Sequence, residues 1–206
     1  MTGRWIVLEG GEGSGKSTQA ALLASSIGAV LTREPGGTGI GSQIRGVLLS
    51  SEGVPMSHRT EALLMAADRA EHVATVVGPA LDRGEHVVSD RSVWSSLAYQ
   101  GYGRGLDLDW LRSLSEWAMG GRWPDLAVLV DVIAETARSR LAARGGRPDR
   151  LESEHTAFHD RVREGFAALA AGEPERWVIV DGAGSPDVVA ARVMAGVSAR
   201  LGSLAG

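Results

Sequence analysis

Five short apolar runs recur along the 206-residue chain, each followed by a longer stretch of helical character. The runs lie at 5–9, 29–32, 86–90, 126–131 and 177–181 and are dominated by Val, Ile and Leu, without strict alternation. That pattern fits strands of a parallel sheet covered on both faces. Between them the sequence predicts helices at about 16–27, 38–50, 57–83, 92–119, 134–144, 154–171 and 186–202. Gly84 and Gly172 fall where C-terminal caps belong, and Pro186 falls near a helix start. The alternation reads as α/β, a five-stranded parallel sheet in a layered fold flanked by helices. Right-handed crossovers put ligands at the carboxyl ends of the strands. No repeat or linker divides the chain, so one domain over 1–206 is expected.

Two stretches break the rhythm. Gly101-Tyr102-Gly103-Arg104-Gly105 predicts a bend inside the fourth helical region. The segment 144–150 sets Arg144, Arg147 and Arg150 on a Gly/Pro background. It is either a solvated turn or a mobile lid that brings arginines onto a nucleotide.

Composition narrows the classes. A net charge of −4 argues against a broad surface for nucleic acid or anionic membrane. The absence of cysteine excludes disulfides, thiolate metal sites and a cysteine nucleophile. No signal peptide is recognisable and no apolar stretch approaches 18 residues, so a cytoplasmic protein without membrane contact is expected.

The chemistry is concentrated behind the first apolar run. Gly10-Gly11-Glu12-Gly13-Ser14-Gly15-Lys16-Ser17 fits G-x-x-x-x-G-K-[ST] in full, and a run of good helix formers begins at Thr18. In that strand–loop–helix setting the backbone N–H groups cradle phosphate oxygens, aided by the helix dipole. Lys16 is expected on the β- and γ-phosphates and the Ser17 hydroxyl on Mg²⁺. Lys16 is also the only lysine; the rest of the 21 basic residues are arginine. Asp90 ends the third run, where a P-loop protein places its Mg²⁺-associated carboxylate, although an Asp there also caps helices. Ser17, Asp90 and Glu9 make up the expected metal set. Arg69 stands on an otherwise apolar helical segment and needs a partner: a neighbouring carboxylate such as Asp68 or Glu61, or a planar base or phosphate.

Taken together, these pieces resemble the thymidylate kinase family. The resemblance rests on Leu8-Glu9-Gly10 entering the P-loop, Thr32-Arg33-Glu34-Pro35-Gly36-Gly37-Thr38, Asp90-Arg91 and Ala98-Tyr99-Gln100-Gly101. It continues through Trp123-Pro124-Asp125-Leu126, Asp149-Arg150 and Phe158-His159-Asp160-Arg161-Val162, spanning roughly 5–181. It implies transfer of the ATP γ-phosphoryl group to dTMP, with Mg²⁺, in a homodimer. By position it implies Arg45 and Arg91 as clamps on the acceptor phosphate and Arg69 and Gln100 on the thymine edge. Pro35 falls on the acceptor side, Ser96 and Tyr99 near base and sugar, and Glu12 on the sugar 3′-hydroxyl. Gly13 stands where one branch of the family has a catalytic arginine, so the lid at about 144–153 is expected to supply it. Arg147 is the first choice, Arg144 the second, with Arg150 holding the lid closed. Met65 and Ser92 depart from the family pattern, which has Phe and Tyr or His there. A kinase for another or modified nucleoside monophosphate, and an ATP-binding module without an acceptor, therefore stand beside the main reading.

Overall fold

The computed structural model describes residues 3–50 and 55–204. Strands β1 (Trp5–Glu9), β2 (Val30–Arg33), β3 (Val87–Asp90), β4 (Leu126–Asp131) and β5 (Trp177–Asp181) pair in parallel, in the order β2-β3-β1-β4-β5. Chain order reverses around β1, so the loop leaving β1 opens into the crevice where such sheets bind ligands. Register places Leu8 beside Asp90, which sets the P-loop next to the end of β3.

The helices are α1 (Lys16–Ile27), α2 (Gly39–Leu49), α3 (His58–His72), α4 (Gly78–Asp82), α5 (Val93–Ser96), α6 (Leu108–Met119), α7 (Ala134–Arg144), α8 (Thr156–Gly172) and α9 (Pro186–Leu201). Both faces of the sheet are covered. Trp5 and Val7 join a core with Trp94, Phe166 and Trp177, whereas Ile6 and Leu8 pack with Leu23, Ile27, Val189 and Val193 from α1 and α9. Trp94 meets Trp177 edge-on, ring centroids 5.2 Å apart, and so belongs to the core.

Three sequence expectations are corrected. The segment 57–83 is helical throughout but changes pitch through a π-helical turn at Val73–Val77. The 101–105 bend falls later: Leu97–Gly103 is a π-helical turn, and the chain breaks at 104–107 before Asp107 caps α6. Close packing decides this, since a Cβ on Gly103 would lie 2.6 Å from the Phe158 ring of α8. Gly172 remains inside α8, and the cap falls on Glu173 with extended φ of −134°. Pro186 opens α9 as expected.

Candidate active site

The P-loop is the tightest part of the site. Gly13 has φ 75°, and a Cβ there would lie 2.4 Å from the Ala137 carbonyl oxygen of α7. That close approach explains why residue 13 carries no side chain. Arg140, from the same helix, donates to Ser14 O and Gly182 O, both at 2.9 Å, and ties the loop to the β5–α9 connection. Lys16 is buried at the start of α1, its Nζ 3.5 Å from Gly11 O and 3.8 Å from Glu12 Oε2. Burial and the Arg91 charge pull its pKa down.

A cavity of about 240 Å³ opens from the P-loop between β3, α2 and α3. Glu12, Lys16, Ser17, Asp90 and Arg91 line its P-loop end. Pro35, Arg45, Met65, Arg69, Ser96, Tyr99 and Gln100 line the rest, so one wall gathers the residues expected on the acceptor side. Arg33 lines it too. Its place inside the Thr32–Thr38 stretch is the one signal for it that the sequence carries. Thr18 and the P-loop residues Gly10, Gly11, Gly13, Ser14 and Gly15 lie outside the lining of this cavity.

Arg91 sits at φ 72°, an uncommon conformation for a residue with a Cβ. Its guanidinium donates to Glu12 Oε1, to Tyr99 OH at 2.9 Å and to Ser95 Oγ at 3.0 Å. Tyr99 OH in turn donates to Glu12 Oε1 at 2.9 Å. Burial alone would raise the Glu12 carboxyl; Lys16 and Arg91 outweigh it and hold the pKa at about 2. Arg45 donates to Pro35 O at 2.9 Å, and its pKa is lowered by burial and by the nearby Arg33 charge. Such crowded cations are a setting for an anion.

Arg69 is paired, but with neither Asp68 nor Glu61. Its Nε donates to Glu34 Oε2 at 2.9 Å, its Nη2 to Ser96 Oγ at 2.9 Å and its Nη1 to Ser115 Oγ at 3.3 Å. Glu34 Oε1 is held by His72 Nδ1 at 2.9 Å and by the Ser92 hydroxyl at 3.3 Å. Ser96 thus holds the Arg69 guanidinium directly, and Ser92 acts on it through Glu34. Long-range partners of this kind leave no spacing signal in a sequence.

Glu9 does not join the metal set. It is fully buried, and both its oxygens are taken by the start of α5: Ser92 N and Ser95 N at 3.1 Å, and Ser95 Oγ at 2.5 Å. Burial, against Arg91 and those hydrogen bonds, raises its pKa to about 7. Asp90 behaves differently. Its Oδ1 is buried without a hydrogen-bond partner, on the cavity that also holds Ser17. A carboxylate oxygen without a donor, beside a free hydroxyl, fits a hard cation. Among the described residues there is no cluster of three His, Cys, Asp or Glu that could hold a metal.

The lid arginines separate. Arg144 ends α7, lines the cavity and pairs with Glu152 at 2.6 Å. Arg147, the first sequence choice, is exposed and lies outside the cavity lining. Arg150 donates to Leu48 O and to Glu61 Oε2, both at 2.7 Å, fastening the segment onto α2 and α3.

A parallel sheet with a P-loop after β1, an orphaned strand-end carboxylate and arginines facing the same cavity defines a P-loop kinase fold. A family model described as thymidylate kinase matches residues 8–193. The thymidylate kinase of Clavibacter sepedonicus is 52% identical over 200 residues, covering 95% of this chain and 94% of that one. That of Leifsonia xyli is 50% identical over 204 residues, covering 97% and 96%. A crystal structure of thymidylate kinase from Ehrlichia chaffeensis superposes with a TM-score of 0.78 at 29% identity, covering 95% of this chain and 98% of that one. The chain belongs to the thymidylate kinase family.

Proposed function

We propose that this chain transfers the γ-phosphoryl group of ATP to the 5′-phosphate of dTMP, giving dTDP and ADP. The observation that carries the reading is the placement of Arg33, Arg45 and Arg91 with Lys16 on one cavity whose far wall carries Arg69 and Gln100. An acceptor phosphate fits among the three arginines and a planar base fits the far wall.

The acceptor needs no strong general base. A phosphate monoester has its second pKa near ~6, so it is already a nucleophile at neutral pH. The catalytic demand is to bring two polyanions together and offset the charge of the transferring group. Lys16 and the P-loop N–H groups bind the donor phosphates, and Arg91 orients the acceptor. Glu12 lies between Lys16 and Arg91 and is placed to accept from a sugar hydroxyl. Asp90 and Ser17 are the residues that would hold Mg²⁺, which supplies charge neutralisation between donor oxygens. The segment 144–153 acts as the lid, with Arg144 as its arginine on the cavity.

The reading includes a cytoplasmic homodimer. No helix among the described residues is long and apolar enough to cross a membrane. Supporting a dimer, Trp117 is 82% exposed on α6, Leu63 is exposed on α3 packed beside it, and Ile40 and Val47 are exposed on α2, which packs on α3. Trp117→Glu should convert dimer to monomer in light scattering; an unchanged mass would defeat the interface.

The experiment for the activity is ADP release with ATP·Mg²⁺ against dTMP, dUMP, dCMP, dGMP, AMP, CMP and UMP. Strong turnover with dTMP and weak turnover with dUMP is expected. A broad or shifted preference would overturn thymine as the substrate base.

A further inference from the structure

Glu61 lies in the first turn of α3, fully buried, and is bonded from three directions. Its Oε1 accepts from Gln100 Nε2 at 2.8 Å and from Arg104 Nε at 3.3 Å. Its Oε2 accepts from Arg104 Nη2 at 3.0 Å and from Arg150 Nη1 at 2.7 Å. These partners outweigh burial and keep its pKa below the usual carboxylate range. A carboxylate only accepts, so the group that Gln100 turns toward it must be the NH₂. The other end of the amide, Oε1, is then a buried acceptor without a partner, on a residue lining the acceptor cavity. The cavity also holds Arg69, with three of its donors already spent on Glu34, Ser96 and Ser115. Its remaining N–H groups are donors only.

We propose that Glu61 is a positioning residue for base selectivity: it locks the Gln100 amide with Oε1 facing the acceptor, so the site reads a ring N–H and rejects a ring-nitrogen lone pair. This rests on the dTMP reading of the same site. A thymine edge offers N3–H to Gln100 and O4 to Arg69. A cytosine edge offers the opposite polarity at both points, a lone pair at N3 and an amino group at C4. Without Glu61 the amide can turn over, because its two ends are nearly the same size.

Glu61→Gln tests this sharply. Two arginines compete for the single remaining oxygen and draw it to the Oε2 side. The new NH₂ then faces the Gln100 NH₂, a donor against a donor, and Gln100 flips to present NH₂ to the cavity. The measurement is kcat/KM for dTMP and for 5-methyl-dCMP, which differ only along the base edge. Wild-type protein should favour dTMP, and Glu61→Gln should lower that ratio by about tenfold or more. Arg150→Met, which loosens the lid but leaves the carboxylate, should keep the ratio even if turnover falls. A ratio unchanged in Glu61→Gln, or lowered equally in Arg150→Met, overturns the inference. Wild-type protein inert toward dTMP removes the dTMP reading, and this inference with it. Should Glu61→Gln fail to fold, the wild type decides by NMR, with the Gln100 side-chain amide assigned through Gln100→Asn. NH₂ protons protected from exchange both with and without dTMP support the lock; NH₂ protons that exchange as freely as those of a solvent-exposed glutamine overturn it.

Discussion

Arg69 of α3 and Glu34 of the β2–α2 loop form a buried ion pair, Nε to Oε2 at 2.9 Å, with both side chains at most 4% exposed. Neither charge has solvent to fall back on. Removing Glu34 leaves the guanidinium buried against two hydroxyls, at a cost of about 3–5 kcal/mol. Glu34→Ala should therefore lower the unfolding free energy by that order in urea titration. Glu34→Gln should keep the fold better while raising KM for dTMP more than it lowers kcat, because Arg69 loses its fixed orientation. An unaltered KM would separate Arg69 from base recognition.

Glu9 gives the fold a pH signature. Its pKa is about 7 when folded and near the ordinary glutamate value of 4.5 when unfolded, so the unfolded state binds fewer protons between these values. The contribution of Glu9 is greatest below pH ~4.5 and is lost as pH rises through ~7. Gln can occupy the site without ionising: its oxygen accepts from Ser92 N and Ser95 N, and its NH₂ donates to Ser95 Oγ. Between pH 5 and 8 wild type should lose about 2 kcal/mol relative to Glu9→Gln. Thermal melts of both proteins across that range check it; parallel curves would refute the raised pKa.

Lys16 and the lid arginines should fail by different routes. Lys16→Ala is expected to lower kcat by about 10²-fold or more and to raise KM for ATP. Arg144→Ala should lower kcat with KM for dTMP nearly unchanged, whereas Arg147→Ala should stay within about twofold of wild type. A larger loss at Arg147 than at Arg144 would mean that the lid rearranges to bring Arg147 inward.

Gly13→Arg should not supply a second catalytic arginine. The positive φ and the Ala137 carbonyl at 2.4 Å from a Cβ force either loop strain or displacement of α7. Strain of this kind costs on the order of 1–3 kcal/mol. A drop in Tm together with lower kcat is expected; full activity would show that α7 yields freely.

The sequence by itself determined the strands, the helix that starts at Lys16 and the strand–loop–helix that holds phosphate, because these depend on neighbours a few residues apart. Apolar runs of Val, Ile and Leu make buried strands wherever they pair, and a P-loop carries its donors in its own backbone. Cavity residues such as Arg45, Arg91 and Gln100 were legible only through the family resemblance, which supplies positions without partners, whereas Arg69 stood out by its apolar helical setting. Tertiary structure alone decided those partners. It paired Arg69 with Glu34 instead of Asp68 or Glu61, turned Glu9 into the anchor of α5, and put Arg144 at the cavity with Arg147 outside. It also joined Gln100 to Glu61, 39 residues apart. A buried charge selects whichever partner lies within hydrogen-bond reach, and that distance is fixed by how helices cross the sheet, not by their separation along the chain.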